Sequence, residues 1–319
     1  MLKIRPFRKD ADEQEYVKVF NAAFSDYDDM RNVTLEEAKT VANAPIYNLD
    51  GLLFGEWDGQ TAGMVQAHVD KRREDGKGFI QNLAVLPEYR RRGIAKELVK
   101  TAIAVLKEKG MKVAAAWAQT DRLACTHIYE TFGFKRVRTS SRMKRILADY
   151  PRDTEENATA NLREARLTDD EEISLITRLE NEAFKEHFNY RPVTVEETKY
   201  LLFGSPFWKN QKAWFATIDD QPVGYVVTGV DERLNQEKNA RHGWILDIGV
   251  LKQYRRREVG TSLMLRAMSH LKTQGMEDVL LYVDDQNPTQ AMRLYEKVGF
   301  QVYHKSASYE LQLAWSDTH

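Results

Sequence analysis

The chain is poor in cysteine: Cys125 is the only one among 319 residues. An internal disulfide is therefore excluded, and a reducing, cytoplasmic setting is the expectation. Long apolar runs are missing as well. No stretch approaches the roughly 18 consecutive apolar residues that a membrane span requires, and the opening "MLKIRPFRKD" has no apolar leader core. An excess of either charge is also absent. With 47 basic against 48 acidic side chains the net charge is −1, so no global field recruits nucleic acid or an anionic membrane, and any anion preference has to be local. No metal site is expected. What remains is an ordinary globular composition, 42% apolar and 30% charged. At 319 residues the chain is long for one core and comfortable for two.

The two cores are visible as a repeat. Val33-Thr34 with Glu36-Glu37 returns as Val193-Thr194 with Glu196-Glu197, each a T-x-x-E box that opens a helix. Asp58, Gln60 and Gly63 return as Asp219, Gln221 and Gly224, which read as hairpin turns. Arg90 returns as Arg255, and "YETFGF" (129–134) as "YEKVGF" (295–300). The offset drifts upward along the chain, which places small insertions in the second copy, chiefly in "DERLNQEKNARHG". A repeat of about this length is a duplicated domain rather than a solenoid. Domains over 1–148 and 160–315 are expected, joined by the polar linker 149–161, "DYPRDTEENATAN".

Within a copy the periodicity predicts a helix near Asp10–Phe24, a second after Thr34, hairpin strands at Leu52–Trp57 and Gly63–Val69, and a strand at Phe79–Leu86. A basic turn, a helix over Ile94–Lys109, a strand over Lys112–Ala118, a helix through Tyr129 and a terminal strand pair follow. The fold class is α/β (α+β): in each copy, a twisted mixed sheet flanked by helices.

The turn carries the chemistry. In the first copy "FIQNLAVL" runs through Pro87-Glu88-Tyr89 into Arg90-Arg91-Arg92-Gly93-Ile94-Ala95 and directly into a helix. A strand, a tight turn and a helix start leave several amide N–H groups aimed at one place with the positive end of the helix dipole behind them, a geometry that binds phosphate. Gly93 and Ala95 permit close approach, and the arginines offer charge-assisted hydrogen bonds. Neither G-x-x-x-x-G-K-[ST] nor G-x-G-x-x-G is present, which argues against a nucleoside triphosphatase or a dinucleotide fold. A merely solvated basic turn and a nucleic-acid contact are the competing readings; the balanced charge lacks the basic stripe that the second requires.

R-x-x-G-x-[GA] between strand and helix, followed by a helix ending in "IYETFGF", resembles the acetyl-CoA-binding core of the GNAT N-acetyltransferases, and it does so in both halves. The tandem layout and "EAFKEHFNYRPVTVEET" are similar to the mycothiol synthase type within that family. The resemblance implies acetyl-CoA as acyl donor, with Leu83, Ala84 and Val85 along the pantetheine arm and Arg90, Arg91, Arg92, Gly93, Ile94, Ala95 and Lys96 around the pyrophosphate. Ile248, Val250, Arg255, Arg257, Gly260 and Thr261 are the corresponding group in the second copy, where Asn287 would touch the pantetheine. Asn287, before Pro288, and its counterpart Asp121 also read as helix N-caps.

Acyl transfer to an amine needs a base for the amine proton and an acid for the departing thiolate. Tyr129 and Tyr295 are the candidate acids, since a phenol with ordinary pKa near 10 can donate to a thiolate of conjugate pKa near 8.5; packing at a helix end is their structural alternative. Asp247 is the candidate base, its counterpart Asn82 being unable to accept a proton, with Glu186 and His187 as alternatives. Cys125 reads as core. The expected activity is acetylation of a primary amine of a small molecule; a peptide amine, or acyl-CoA binding without turnover, are the rival readings. Oligomeric state is not legible. Glu258 stands where Gly93 stands in the first copy. Its side chain and charge oppose pyrophosphate unless it turns to solvent or pairs with Arg256 or Arg257, so the first copy is expected to bind CoA more tightly. The resemblance points instead to the C-terminal copy as the active one.

Overall fold

A computed structural model of the chain describes residues 1–45, 49–149 and 160–313. It divides into two compact units, Met1–Thr139 with Lys305–His319, and Ser140–His304. The units thus follow the repeat except at its ends, where each takes its last strand from the other half of the sequence. Of the expected linker, residues 150–159 lie outside the described residues.

The first unit contains β1 (Leu2–Pro6), α1 (Glu13–Phe24), α2 (Leu35–Ala42), β2 (Leu52–Trp57), β3 (Gln60–His68), β4 (Lys77–Val85), α3 (Ile94–Glu108), β5 (Val113–Gln119) and α4 (Leu123–Thr131). Instead of a strand pair, a single strand β6 (Lys135–Ile146) follows. The second unit contains β7 (Asn161–Glu164), α5 (Asp170–Phe184), α6 (Val195–Lys199), β8 (Lys209–Ile218), β9 (Gln221–Val230), α7 (Glu232–Lys238), β10 (His242–Val250), α8 (Val259–Thr273), β11 (Asp278–Asp284) and α9 (Ala291–Lys297). The last strand, β12 (Gln301–Gln312), belongs to the first unit from Lys305 on, as β6 belongs to the second from Ser140 on. The short helix α7 occupies the insertion that the repeat drift indicated.

Local sequence accounts for most of these elements. Thr34 and Thr194 each accept a bond from the backbone three residues on, while Glu37 and Glu197 reach back, so both capping boxes are formed. Asp58-Gly59 and Asp219-Asp220 take positive φ and close the β2–β3 and β8–β9 hairpins. In α3, Ile94, Leu98, Val99, Ala102 and Leu106 form the stripe buried against Ala114, Ala116 and Ala118 of β5. Each such large side chain, once buried, contributes about 1.5–3 kcal/mol. The other sheet face is covered by α1, whose Tyr16, Val19 and Ala23 pack on Phe54, Met64 and Ala84. The second unit repeats both layers, with α8 on one face and α5 on the other. No helix among the described residues is long and apolar enough to cross a membrane.

Sheet register is what creates the site. In the first unit β4 pairs in parallel with β5 only from Lys77 to Ile80, while it stays on β3 as far as Val85. In the second, β10 pairs with β11 only from His242 to Trp244 but stays on β9 to Val250. Past those points the two central strands separate, and one edge of β4 or β10 faces an open splay. The outer neighbours, β12 on β5 and β6 on β11, run antiparallel.

Candidate active site

The Leu86 N–H bonds Ala62 O on β3 and the Leu251 N–H bonds Val223 O on β9. Because successive residues alternate, Val85 and Leu83, like Val250 and Ile248, turn their peptide groups toward the splay. Beyond the strand, the amide N–H groups of Arg91, Arg92, Gly93, Ile94, Ala95 and Lys96 have no backbone acceptor among the described residues, and neither do those of Arg256, Glu258, Val259, Gly260 and Thr261. Arg91 and Gly93 are left-handed, at φ 62° and 79°, as are Arg256 and Glu258 at 60° and 59°. Each unit therefore ends its splay in a concave row of donors at the N-terminus of a 15-residue helix. This donor set suits a diphosphate.

The arginines divide their work in a way that spacing alone did not reveal. Arg90 Nε donates to Val85 O at 3.2 Å and Arg255 Nε to Val250 O at 3.0 Å, bracing the turn against the strand end instead of reaching into it. Arg255 also donates to Ala183 O at 2.8 Å. Arg92 stacks over Trp57 and Tyr89, and Arg257 over Tyr254. Arg91 and Arg256 are exposed.

Glu258 pairs with neither Arg256 nor Arg257. Its carboxylate accepts from Lys297 Nζ at 2.6 Å, which with the nearby Thr261 side chain lowers its pKa and holds it in its charged form. A Cβ placed at Gly93 would meet nothing within 4 Å. The cost of Glu258 is thus its left-handed backbone, about 1 kcal/mol. Glu258→Gly is accordingly expected to raise stability by about 1 kcal/mol. In calorimetric titration CoA affinity should change by less than about threefold, because a half-exposed, already paired carboxylate exerts little field. A tenfold gain would show that Glu258 does obstruct the turn.

The units differ most beside the splay. In the second, Tyr225 of β9 is buried and donates its hydroxyl to Asp247 Oδ2. A one-residue irregularity in β10 between Ile245 and Asp247 turns Asp247 toward α5. Gly249 leaves the necessary room, since a Cβ there would sit 2.6 Å from the Tyr225 ring. Burial pushes the Asp247 carboxyl up to about 6, despite the Tyr225 and Ile248 hydrogen bonds that pull it down. Glu180 of α5 is pushed up to about 8 by burial and by the Asp247 charge. The two titrate as a pair that carries one negative charge near neutrality.

Sequence reading missed Glu180. The signal was present: Ile173, Ile176, Thr177 and Ala183 are the buried stripe of α5, and Glu180 falls on that stripe. The first unit has none of this equipment. Phe20, Asn82 and Met64 stand where Glu180, Asp247 and Tyr225 stand. Phe20 stacks with Tyr16 and Phe24, and Asn82 Nδ2 bonds Gln66 Oε1 at 3.3 Å.

The two tyrosines are also unlike. Tyr295 is buried on α9, its phenol pushed up by burial and by the charge of Asp247, which places the two within electrostatic reach across the splay. Among the described residues no protein group bonds its hydroxyl. Tyr129 is buried too, but it lies beside the Cys125 thiol, one helical turn earlier, and burial raises the pKa of both groups. Cys125 is half-buried beside Tyr129 and packs against the first unit's core. In the second unit Ala291 replaces it.

Other candidates are placed elsewhere. Glu186 is exposed and bound to Lys252 at 2.5 Å, which lowers its pKa, and lies 3.7 Å from Arg255. His187 stands edge-on to Phe184. Neither Asp121 nor Asn287 is an N-cap: α4 starts after Arg122 and α9 after Gln290. Asn287 Oδ1 instead accepts from Thr289 N and Oγ1, at 2.8 and 2.7 Å, because Pro288 closes a turn rather than opening the helix. Gly260 packs tightly, since a Cβ there would meet Leu294 at 2.9 Å. On the Asp247 face of the sheet, Trp244 stacks with half-exposed Tyr282 and meets Trp208 edge-on, each at 5.7 Å.

The family model for the acetyltransferase (GNAT) family matches residues 14–134 and again 173–300. The chain belongs to the GNAT family. It is an N-acetyltransferase built as a tandem of two GNAT domains. The mycothiol acetyltransferase of Actinosynnema mirum is 28% identical over 263 residues, covering 81% of this chain and 83% of that protein. That of Thermobispora bispora is 30% identical over 225 residues, covering 68% and 71%. Among solved structures, a tandem GNAT protein from the clavulanic acid biosynthesis pathway has a TM-score of 0.76 at 14% identity, covering 99% of this chain and 100% of that one. That similarity shows the fold alone.

Proposed function

We propose that the second unit of this GNAT enzyme transfers an acetyl group from acetyl-CoA to the primary amine of a small molecule, as the name of the mycothiol acetyltransferase relatives suggests. Acetyl-CoA supplies the thioester. The observation that carries the reading is the buried Asp247, held by the Tyr225 hydroxyl with Glu180 beside it and within electrostatic reach of the buried Tyr295.

The amide row from Arg256 to Thr261 would hold the diphosphate, and the peptide groups of Ile248 and Val250 the pantetheine arm. The amine nitrogen bonds to the acyl carbon while the carbon–sulfur bond breaks. Asp247 takes the amine proton, and Tyr295 gives its phenolic proton to the sulfur. Glu180, neutral below about pH 8, leaves the single negative charge to Asp247. The Trp208, Trp244 and Tyr282 rings form one wall on the acceptor side, flat enough for a small cyclic substrate. The first unit keeps the donor row without a base, which supports CoA binding there without turnover.

Following CoA release across a set of small-molecule and peptide amines tests the reading. Release with small amines at rates at least about tenfold above those with peptides is expected. Faster release with peptides would contradict it.

A further inference from the structure

In the first unit the chain beyond α1 is tied to the turn that leaves β5. The segment after α1, which packs over β3 and β4, reaches to the β5–α4 turn on the far wall. Arg122 Nη1 donates to Asp26 Oδ2 at 2.6 Å and Nη2 to Asp26 O at 3.1 Å, while its guanidinium lies 4.0 Å over the Tyr27 ring. Gln119, buried at the end of β5, donates to Asp29 Oδ1 at 3.4 Å. One α-helical turn beyond Arg122 stands Cys125, half-buried beside Tyr129, and Tyr27 is within electrostatic reach of both. The second unit cannot form this tie: Pro288 occupies the Arg122 position and offers no donor, and Glu186, in place of Asp26, is bound to Lys252 and Arg255 beside β10.

From this geometry we infer that the Asp26–Arg122–Tyr27 latch closes the acceptor side of the first unit's cleft, so that a CoA thioester bound there is shielded from amines. The inference rests on the reading of that cleft as a CoA site. It explains the asymmetry of the units by access as well as by the missing base: the donor row stays open at the turn while the acyl end is covered. A latch of one part-exposed ion pair and one cation–π contact is weak enough to open, and its loss changes exposure behind it by about tenfold.

The single cysteine makes the latch measurable. Alkylation of Cys125 by iodoacetamide is followed in the full-length protein, with Arg122→Ala and Asp26→Asn each expected to react about tenfold faster than wild type. The reversed pair, Asp26→Arg with Arg122→Asp, should return the rate toward wild type, which mere destabilisation would not do. Saturating CoA should slow alkylation in every variant. Equal rates in wild type and both single variants would overturn the latch. Faster single variants without CoA protection would overturn instead the CoA occupancy on which the inference rests.

Discussion

Tyr295→Phe is expected to lower kcat by about 10²- to 10³-fold, the range of a lost general acid, while Tyr129→Phe leaves it within about twofold. The sequence places the two tyrosines at equivalent positions, and their surroundings separate them. Tyr295 lies within electrostatic reach of Asp247, no protein group among the described residues bonds its hydroxyl, and both burial and that charge favour the protonated phenol. It therefore stays protonated near neutral pH, as a proton donor must. Tyr129 lies beside Cys125, and its splay lacks a base, since Asn82 stands in the place of Asp247 and bonds Gln66. Steady-state CoA release by the two purified variants checks this. Equal losses in both would assign chemistry to each unit, and a loss confined to Tyr129→Phe would assign it to the first.

The second large effect is on pH dependence. Asp247 can accept a proton only when ionised, and its carboxyl is raised from 3.8 to about 6. Activity should therefore rise as pH increases through about 6, where a carboxylate at its ordinary value would already be fully ionised by pH 5. Asp247→Asn should lower kcat/KM by about 10²- to 10³-fold and abolish this acid limb. Glu180→Gln should keep the limb, since the neutral amide imitates the protonated carboxyl that Glu180 presents below about pH 8. The same substitution bears on stability. A carboxyl raised in the folded state costs stability as pH climbs from its unfolded value toward its folded one. Glu180→Gln should therefore raise Tm more at pH 8 than at pH 4. A wild-type profile that is flat between pH 5 and 7 would remove Asp247 from the base role.

Much of the fold was legible because it is local. Thr34 and Thr194 announce their helices through capping boxes, Asp58 and Asp219 their hairpins, and the strand–turn–helix around Arg90 and Arg255 its amide row. The exchange of β6 and β12 was not legible. Two copies with similar sheet edges accept the same strand pattern, and alternation along a strand does not say which edge it joins. The turn positions of the site were readable and their side-chain partners were not. Nothing within a few residues of Glu258 points to Lys297, and nothing near Arg90 indicates that its guanidinium returns to Val85. Glu180 is the instructive case, because a carboxylate on the apolar stripe of α5 was visible in the helical period. Only the fold brings it against Asp247, 67 positions later in the sequence.

The central claim is that one unit of the tandem does the chemistry. The most direct measurement is CoA release by the double variant Asp247→Asn with Tyr295→Phe, which leaves Met1–Thr139 untouched, at saturating acetyl-CoA and amine. Release indistinguishable from the protein-free background is the predicted result. Turnover at half the wild-type rate would mean that the first unit acetylates by itself, and would contradict the account.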